Sequence, residues 1–560
     1  MSRRLHLCLL LALGLLVAAC GEPRQAMVAT ANQHASAAAA EILEAGGSAA
    51  DAAIAAQLVL GLVEPQSSGI GGGAFALHWN EAGETLTAWD GRETAPAAAG
   101  PDLFAGAGGS AAAFHAAATG GRAVGVPGIV SLLWELHRGE GELEWEVLFA
   151  PALRLAEDGF PVSQRLHRAI TDAEGLDQDP MARELYFRDG QPLPVGHMLK
   201  NPAYATTLRL VAARGPAAFY DGDVAEAIVA AVGGHPDNPG LMTRDDLRRF
   251  RAKSRPPVCL TYRGHDVCGM PPPTSGGLTT LMILGTLEPY RMGNWRPDSP
   301  TALHLIAQAS RLAFADRNIY MADPDFVAVP SDGLVDPGYL KARALSIHPG
   351  RDMGDAEPGT PPGAAVMPGM VPAQEAGTSH LAIVDAEGNA VSMTTSVERS
   401  FGARIMSGGF VLNNQLTDFA FEPERDGLAV ANRVEGGKRP RSSMAPTMVF
   451  DPDGALFAAL GSPGGPRIIG FVAHTLVALI DWNLPMQTAI DLPRVVNLNG
   501  TTQLEAGTRL EAAVPMLEDM GHEVTVQPLV SGLHGIAITD GRLDGGADRR
   551  REGVVIAVEP

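Results

Sequence analysis

The chain has 560 residues and a formal net charge of −21, from 42 lysines and arginines against 63 aspartates and glutamates. Binding to nucleic-acid phosphates requires a basic face, so this charge argues against a nucleic-acid partner. The hydrophobic fraction of 46% is enough for a sizeable core, arranged as several domains or as one large one.

The first residues have the pattern of a secretory signal. Arg3 and Arg4 precede the apolar run 7–19, which is too short to span a bilayer. The run ends in Val-Ala-Ala followed by Cys20. This ending resembles a bacterial lipobox, in which Cys20 carries a lipid and begins the mature chain; ordinary cleavage after Ala19 is the alternative. We therefore expect a periplasmic protein that contacts a membrane only through an N-terminal lipid.

The region after the signal predicts helices and a hairpin. The Ala-rich run 35–45 predicts a helix, and Ser48 is placed to cap a second helix, with Asp51 in capping-box spacing. Strands at 75–78 and 85–90 predict a hairpin. Further helices are predicted over 127–137, 145–157, 165–175, 202–214, 224–232, 276–287 and 304–320.

Two cysteines remain after the signal, Cys259 and Cys268. A two-residue turn at 263–264 places Tyr262 opposite His265 and the two cysteines opposite each other, where cross-strand side chains are closest. An exported compartment permits a disulfide. Two buried thiols are the alternative, and no His or Cys cluster nearby indicates a metal site.

The stretch 377–402 contains a candidate nucleophile. Residues 381–384 and 390–396 predict two strands around a short turn, and a three-residue loop places Thr378 opposite Ser396. A Thr with a hydroxyl across from it is a candidate nucleophile, and a surface Thr on an edge strand is the alternative.

Beyond this stretch, strands are predicted at 446–451 and 455–460 and a helix at 467–482. The Pro- and Gly-rich residues 353–375 have little to bury and are expected to be mobile and exposed after cleavage.

A series of motifs occupies 27–77, 91–96, 377–402, 410–421, 438–447 and 461–469. In this order they resemble the gamma-glutamyltranspeptidase family of N-terminal-nucleophile hydrolases. The resemblance implies an α+β fold, a four-layer αββα sandwich, formed by two polypeptides from one precursor that cuts itself between Gly377 and Thr378. Together with the signal pattern, this divides the chain into a lipoprotein-type signal peptide 1–20, a large subunit 21–377 and a small catalytic subunit 378–560.

The cut also explains how the hydroxyl is activated. A Thr hydroxyl needs a base, and the freed α-amine of Thr378, with a pKa of about 7.7–8, can serve as one. The resemblance assigns Ser396 to contact the nucleophile, where the family usually has Thr, and Gly464 and Gly465 to the oxyanion hole. It implies no metal and no cofactor.

The resemblance also implies a site for a glutamyl head group. Arg92 would bind the α-carboxylate, with hydroxyl donors from Ser442 and Ser443, and Gln415 and Asp418 would accept from the α-ammonium. Two departures from the family stand out. Glu398 replaces a common Asn on the ammonium side, and the lid segment 422–437 differs and looks shorter.

These residues imply a γ-glutamyltransferase or glutathione hydrolase. Donors would be γ-glutamyl compounds such as glutathione, and acceptors would be water, amino acids or dipeptides. A related acylase acting on β-lactam side chains is one alternative, although Arg92 serves an amino-acid head. A non-catalytic, uncut lipoprotein that binds small ligands is the other.

Overall fold

The computed structural model describes residues 25–105, 111–365, 368–369 and 377–559. The predicted signal peptide and the lipidation site at Cys20 lie outside the described residues, and so does most of 366–376. Within the described part of the chain, no helix has the length and apolar character needed to cross a membrane.

One layer of the molecule is a seven-stranded antiparallel sheet, called sheet A. Its central strands are Gly377–Val384 and Ala390–Glu398, which are buried along their whole length. Continuous burial explains why both strands read as apolar or hydroxyl-rich runs without strict alternation. The strand order is Val554–Val558, Ala26–Thr30, Gly377–Val384, Ala390–Glu398, Gly73–Asn80, Thr85–Gly91, Lys253–Arg255.

The second layer is a six-stranded antiparallel sheet, called sheet B, whose inner face packs on sheet A. Between the sheets lies an apolar core that includes Phe75, Leu77, Ala382, Met448 and Ile536. The strand order of sheet B is Arg542–Ala547, His534–Thr539, Leu456–Gly461, Thr447–Phe450, His265–Gly269, Val258–Tyr262.

Helices cover the outer face of each sheet. Gln33–Glu44 and Ala49–Val63 pack on sheet A, and Gly276–Leu287 and Arg467–Ile480 pack on sheet B, each over its own apolar core. The order helix, sheet, sheet, helix is the predicted four-layer αββα sandwich, and the α+β fold class is confirmed. The remaining α-helices are Ala111–Ala118, Ile129–Glu140, Ala150–Asp158, Gln164–Asp172, Pro180–Tyr186, Pro202–Arg214, Pro216–Tyr220, Asp223–Gly233, Arg244–Arg249, Pro300–Tyr320, Ser331–Leu334, Pro337–Ala344, Met486–Asp491 and Val514–Asp519.

Smaller elements complete the described chain. A three-stranded sheet combines Val495–Val496, Thr502–Glu505 and Val524–Gln527, and two-residue strands pair Phe160–Pro161 with Met198–Leu199, Phe187–Arg188 with Gln191–Pro192, Met406–Ser407 with Phe410–Val411, and Glu424–Arg425 with Leu428–Ala429. The 3₁₀ helices are Pro101–Phe104, Gly121–Ala123, Trp145–Phe149, Leu176–Gln178, Met292–Asn294, Gln415–Asp418 and Arg509–Ala513.

Local signals place several element ends where the sequence predicts them. Ser48 and Asp51 form the predicted capping box at the start of Ala49–Val63. The helix predicted over 145–157 is instead a 3₁₀ turn followed by Ala150–Asp158. The α-helix begins there because Pro151 lacks the N–H that would continue a helix through it.

The cysteine hairpin has the predicted register. Cys259 pairs with Cys268 and Tyr262 with His265, and the two sulfurs are bonded, with a Cα–Cα distance of 4.1 Å. The disulfide alternative is therefore the one that the structure contains.

The Pro- and Gly-rich segment is described only up to residue 365 and at 368–369. Its described residues are mostly exposed in the uncut chain. Two hydrogen bonds attach this segment to the rest of the protein. The Gly359 N–H donates to Asp316 at 2.6 Å, and the Ala356 N–H donates to Asn499 at 2.7 Å.

Candidate active site

Thr378 lies in the middle of sheet A, opposite Ser396 as the loop length predicts. Gly377 pairs with Glu398, so Val397 is an extra residue, and the resulting β-bulge falls between Gly377 and Thr378. Only 4% of Thr378 is exposed. The alternative of a surface Thr on an edge strand is therefore excluded.

The Ser396 hydroxyl links the two residues of the predicted cleavage bond. It donates to the Gly377 carbonyl at 2.5 Å and accepts from the Glu398 N–H at 2.8 Å and from the Thr378 hydroxyl at 3.4 Å. A serine has one proton to give, and here it goes to the carbonyl. The arrangement polarises the Gly377 carbonyl beside a hydroxyl that can attack it.

A guanidinium from the far end of the chain contacts the same residue. Arg551 donates from Nη1 to the Thr378 carbonyl at 3.0 Å, and burial lowers the pKa of Arg551 to about 9. No motif in the sequence indicates Arg551. Nothing in the charged run 548–552 distinguishes it from its neighbours, because the contact depends on long-range packing.

Arg92 follows strand Thr85–Gly91 and is fully buried. Its Nη2 donates to Asp418 Oδ2 at 2.5 Å and to the Arg441 carbonyl, and its Nε donates to the Pro440 carbonyl at 3.1 Å. Among the described residues, Nη1 has no hydrogen-bond partner. Arg92 therefore makes a structural ion pair and also keeps one donor for a further group.

Asp418 and Gln415 lie on the 3₁₀ turn Gln415–Asp418 and form a cluster with Arg92. Gln415 donates to Asp418 Oδ2 at 2.7 Å, while Oδ1 of Asp418 and Oε1 of Gln415 have no hydrogen-bond partner in the described part of the chain. The preceding Asn414 donates from its backbone to the Val397 carbonyl at 3.2 Å, which joins this turn to the Ser396 strand. Acceptor oxygens and an Arg donor together match a zwitterionic head group.

Burial changes the protonation state of the Glu93 carboxyl group, which is next to Arg92 in the sequence. Both oxygens of Glu93 lack hydrogen-bond partners among the described residues, and Glu93 Oε2 lies 3.8 Å from Arg92 Nη1. Desolvation outweighs the attraction of Arg92 and raises the pKa of Glu93 to about 8. Glu93 is thus mostly protonated at neutral pH.

Ser442 and Ser443 are buried beside Arg441, whose carbonyl contacts Arg92. The Ser443 hydroxyl accepts from Arg317 Nη2 at 2.7 Å, and the Ser442 hydroxyl accepts from the Met444 N–H at 3.1 Å. A serine hydroxyl that accepts a hydrogen bond can also donate its own proton. Arg317 was also missed by the sequence analysis; the available signal was a cation on the apolar face of an amphipathic helix.

Gly464 and Gly465 lie between strand Leu456–Gly461 and helix Arg467–Ile480, at positive φ of 137° and 60°. A Cβ on Gly464 would lie 2.8 Å from the Phe471 ring, so this position requires glycine. The strand before them ends against His380, two residues after Thr378: a Cβ on Gly461 would lie 2.4 Å from that imidazole. No described hydrogen bond joins the two glycines to Thr378.

Glu398 and the lid segment are the two places where the sequence departs from the family pattern. Glu398 is buried, with a positive φ of 77°. The lid segment 422–437 contains the exposed two-stranded turn Glu424–Arg425 and Leu428–Ala429. Lys438 anchors its end by donating to the Ala431 carbonyl and to Glu435, each at 2.8 Å.

Comparisons with known proteins place these features in one family. Residues 35–558 match the family profile described as Gamma-glutamyltranspeptidase. The chain is 35% identical to the glutathione hydrolase proenzyme of Bacillus subtilis strain 168, over 96% of this chain and 92% of the relative. It is also 35% identical to the acylase ACY 1 proenzyme of Pseudomonas sp. strain SE83, over 95% and 93%.

A solved structure shares the whole architecture. The cephalosporin acylase from Bacillus halodurans superimposes with a TM-score of 0.84 at 28% identity, over 95% of this chain and 96% of that one. The profile match spans nearly the whole chain and includes the Thr378 strand pair, the Arg92 group and the Gly464 turn. The chain belongs to the gamma-glutamyltranspeptidase family.

Proposed function

We propose that the chain is a self-processing γ-glutamyltransferase and glutathione hydrolase. One observation carries the proposal: Arg92 and Asp418 are paired, and each keeps one atom without a hydrogen-bond partner among the described residues. A γ-glutamyl donor ends in an α-carboxylate and an α-ammonium, which these two atoms complement. Ser442 and Ser443 add donors for the carboxylate, and Gln415 and Glu398 add acceptors for the ammonium.

Self-cleavage follows from the hydroxyls around Gly377. The Thr378 Oγ adds to the Gly377 carbonyl carbon while Ser396 holds the carbonyl oxygen. The Gly377–Thr378 C–N bond then breaks, the nitrogen takes a proton, and an ester remains on Thr378. Water hydrolyses the ester, leaving a Gly377 carboxylate on the large subunit 21–377 and a free Thr378 amine on the small subunit 378–560.

Turnover repeats the same attack on a substrate. The free amine of Thr378 accepts the hydroxyl proton as Oγ adds to the γ-carbonyl carbon. The Gly464 and Gly465 N–H groups stabilise the oxyanion, and the proton passes to the leaving amine. The γ-glutamyl ester is then resolved by water, giving glutamate, or by an amino-acid or dipeptide acceptor, giving transfer.

An acylase acting on β-lactam side chains is the second candidate, because the relative from strain SE83 and the Bacillus halodurans structure bear acylase names. The Arg92–Asp418 pair favours the first candidate, since an acyl group without an ammonium leaves Asp418 Oδ1 buried and unpaired. A non-catalytic binding lipoprotein is the third reading, and an uncut chain would support it.

A denaturing gel and a glutamate assay test the proposal together. The purified chain should give two fragments and release glutamate from glutathione. Arg92→Ala should still give two fragments and should lose γ-glutamyl turnover. Cleavage of a β-lactam side chain without glutamate release would favour the acylase, and a single uncut fragment would contradict self-processing.

We also propose that residues 1–20 export the protein and that Cys20 anchors it by a lipid. The charged start, the apolar run and the small residues before Cys20 support this. Mass spectrometry of the mature N-terminal peptide should find a lipid-modified Cys20. Cys20→Ser should release the protein from the membrane fraction, and unchanged membrane association would contradict the anchor.

A further inference from the structure

The carbonyl group of Thr378 is contacted by a side chain from a distant part of the sequence. Arg551 lies between strands Arg542–Ala547 and Val554–Val558 and donates to the Thr378 carbonyl at 3.0 Å. Its stem fits beside Gly532, where a Cβ would lie 2.7 Å from the Arg551 Cδ. This contact is on the side of Thr378 that stays covalently attached after cleavage.

The loop that carries Arg551 is itself fixed on both sides. Asp548 forms an ion pair with Arg550 at 3.1 Å and accepts from Ser531, and Glu552 accepts from the Arg165 N–H at 3.0 Å. The guanidinium therefore reaches Thr378 from an anchored base. A fixed donor loses less conformational entropy on making its contact than a mobile one.

Self-cleavage changes what holds Thr378. In the uncut chain the residue is restrained by the backbone on both sides. After the cut it is the first residue of its strand, and terminal residues fray unless other contacts hold them. The pairing with Ser396 and the Arg551 contact then hold the nucleophile in place.

Arg551 is also a charge beside the new amine. The amine nitrogen and the carbonyl oxygen of one residue are three bonds apart, so Arg551 Nη1 lies within about 7 Å of the Thr378 amine. A like charge at that distance disfavours the ammonium form. The charge of an arginine near pKa 9 is present throughout the neutral range.

Other charged groups near Thr378 are largely balanced or neutral. Glu64 accepts from the Ser379 hydroxyl at 3.0 Å and is ion-paired with Arg165 at 3.1 Å. Burial holds the pKa of His380 well below its usual value, so this imidazole is uncharged at neutral pH. From sheet B, burial lowers the pKa of His534 to about 3, and Asp548 faces Arg550. On the paired strand, the carboxyl-bearing residue Glu398 lies opposite Gly377.

We propose that Arg551 is a positioning residue that holds Thr378 in register after the cut and keeps its α-amine uncharged, ready to accept the hydroxyl proton. This rests on the proposed self-cleavage but not on the identity of the substrate. It assigns a role in the mature enzyme to a residue outside the motifs that carry the family resemblance.

The test titrates the amine directly, without a substrate. The processed protein is labelled with an amine-reactive acylating reagent at each pH from 5 to 10, and labelling of the Thr378 peptide is measured by mass spectrometry. Arg551→Gln, which keeps a donor and removes the charge, should move the midpoint up by roughly one pH unit. Arg551→Lys should leave it near the native value.

The control is Arg549→Gln, which removes an exposed arginine two positions earlier in the same run. It should leave the midpoint unchanged. The acidic limb of the pH profile of kcat/KM should follow the pKa of the Thr378 amine. Arg551→Gln should therefore lower kcat/KM by roughly tenfold at pH 7 and by much less at pH 9. Its melting temperature should equal that of the wild type.

An Arg551→Gln midpoint equal to that of the wild type would overturn the proposal, and so would a loss of activity that no pH restores. A fall in melting temperature matching the loss of activity would assign Arg551 to stability instead. A wild-type chain that stays uncut would remove self-cleavage and this proposal together, whereas a cut chain with an unshifted amine would remove this proposal alone.

Discussion

The nucleophile pair and the head-group site are assembled in different ways. Thr378 and Ser396 are 18 residues apart and meet through the register of one hairpin, using neutral hydroxyls. Arg92 and Asp418 are 326 residues apart and meet as a buried ion pair. In the proposed function, local geometry thus provides the nucleophile, and long-range packing of charge provides the group that selects the substrate. The two parts should fail separately when each is altered.

The largest effect is expected at the nucleophile. Thr378→Ala removes the attacking oxygen for both self-cleavage and turnover, so the chain should stay uncut and activity should fall by about 10³-fold or more. Thr378→Ser keeps an oxygen and should keep both reactions at reduced rates. The gel and the glutamate assay measure the two outcomes. Two fragments from Thr378→Ala would place the cut elsewhere.

Ser396→Ala should slow self-cleavage by about 10²-fold, because it removes a hydrogen-bond donor to the Gly377 carbonyl. Ser396→Thr keeps the hydroxyl and is the matched control. The rate at which fragments appear from freshly made precursor is the measurement. Equal rates for the Ala and Thr variants would show that the 2.5 Å contact does not assist the attack.

Asp418→Asn tests the other half of the comparison. It should lower kcat/KM for γ-glutamyl amides by about 10²-fold, since it removes the acceptor for the ammonium and leaves Arg92 without its buried counter-charge. Self-cleavage should stay within about twofold. Asp453→Asn, on an exposed turn, is the control. If Asp418→Asn blocked self-cleavage as well, the nucleophile pair and the head-group site would not act independently.

Glu93→Gln addresses the stability cost of placing charge in the interior. The folded-state pKa is about 8 against 4.5 in the unfolded chain, so between these values the folded state binds more protons and stability falls as pH rises. The slope from this group is at most about 1.4 kcal/mol per pH unit. Glu93→Gln should flatten denaturant-measured stability from pH 5 to 8, and an unchanged slope would show that Glu93 is ionised when folded.

The same comparison explains what the sequence could predict. A three-residue loop determines that Thr378 faces Ser396, and a two-residue turn at 263–264 places Cys259 opposite Cys268, so both pairs follow from counting. No local rule joins Arg92 to Asp418; only the motif resemblance indicated a shared site. Arg317 and Arg551 were missed because neither has a local pattern or lies in a quoted motif.

The family resemblance also left out some of the contacts that Arg92 makes within the protein. It assigned Arg92 to a substrate carboxylate, and the structure shows that this side chain first pairs with Asp418 and two backbone carbonyls. The buried, protonated state expected for Glu93 depends on desolvation by the folded protein, which sequence spacing does not report.

The order of strands in sheet A bears on what the cut leaves behind. With the proposed cut after Gly377, Ala26–Thr30 of the first polypeptide lies between two strands of the second, Val554–Val558 and residues 378–384, and sheet B also draws strands from both. The Cys259–Cys268 bridge joins two residues of the first polypeptide, so it does not tie the pieces together. The two products are interleaved through shared backbone ladders. Separating them requires unfolding both sheets, so dilution should not dissociate the mature enzyme and halves made apart should not assemble by docking.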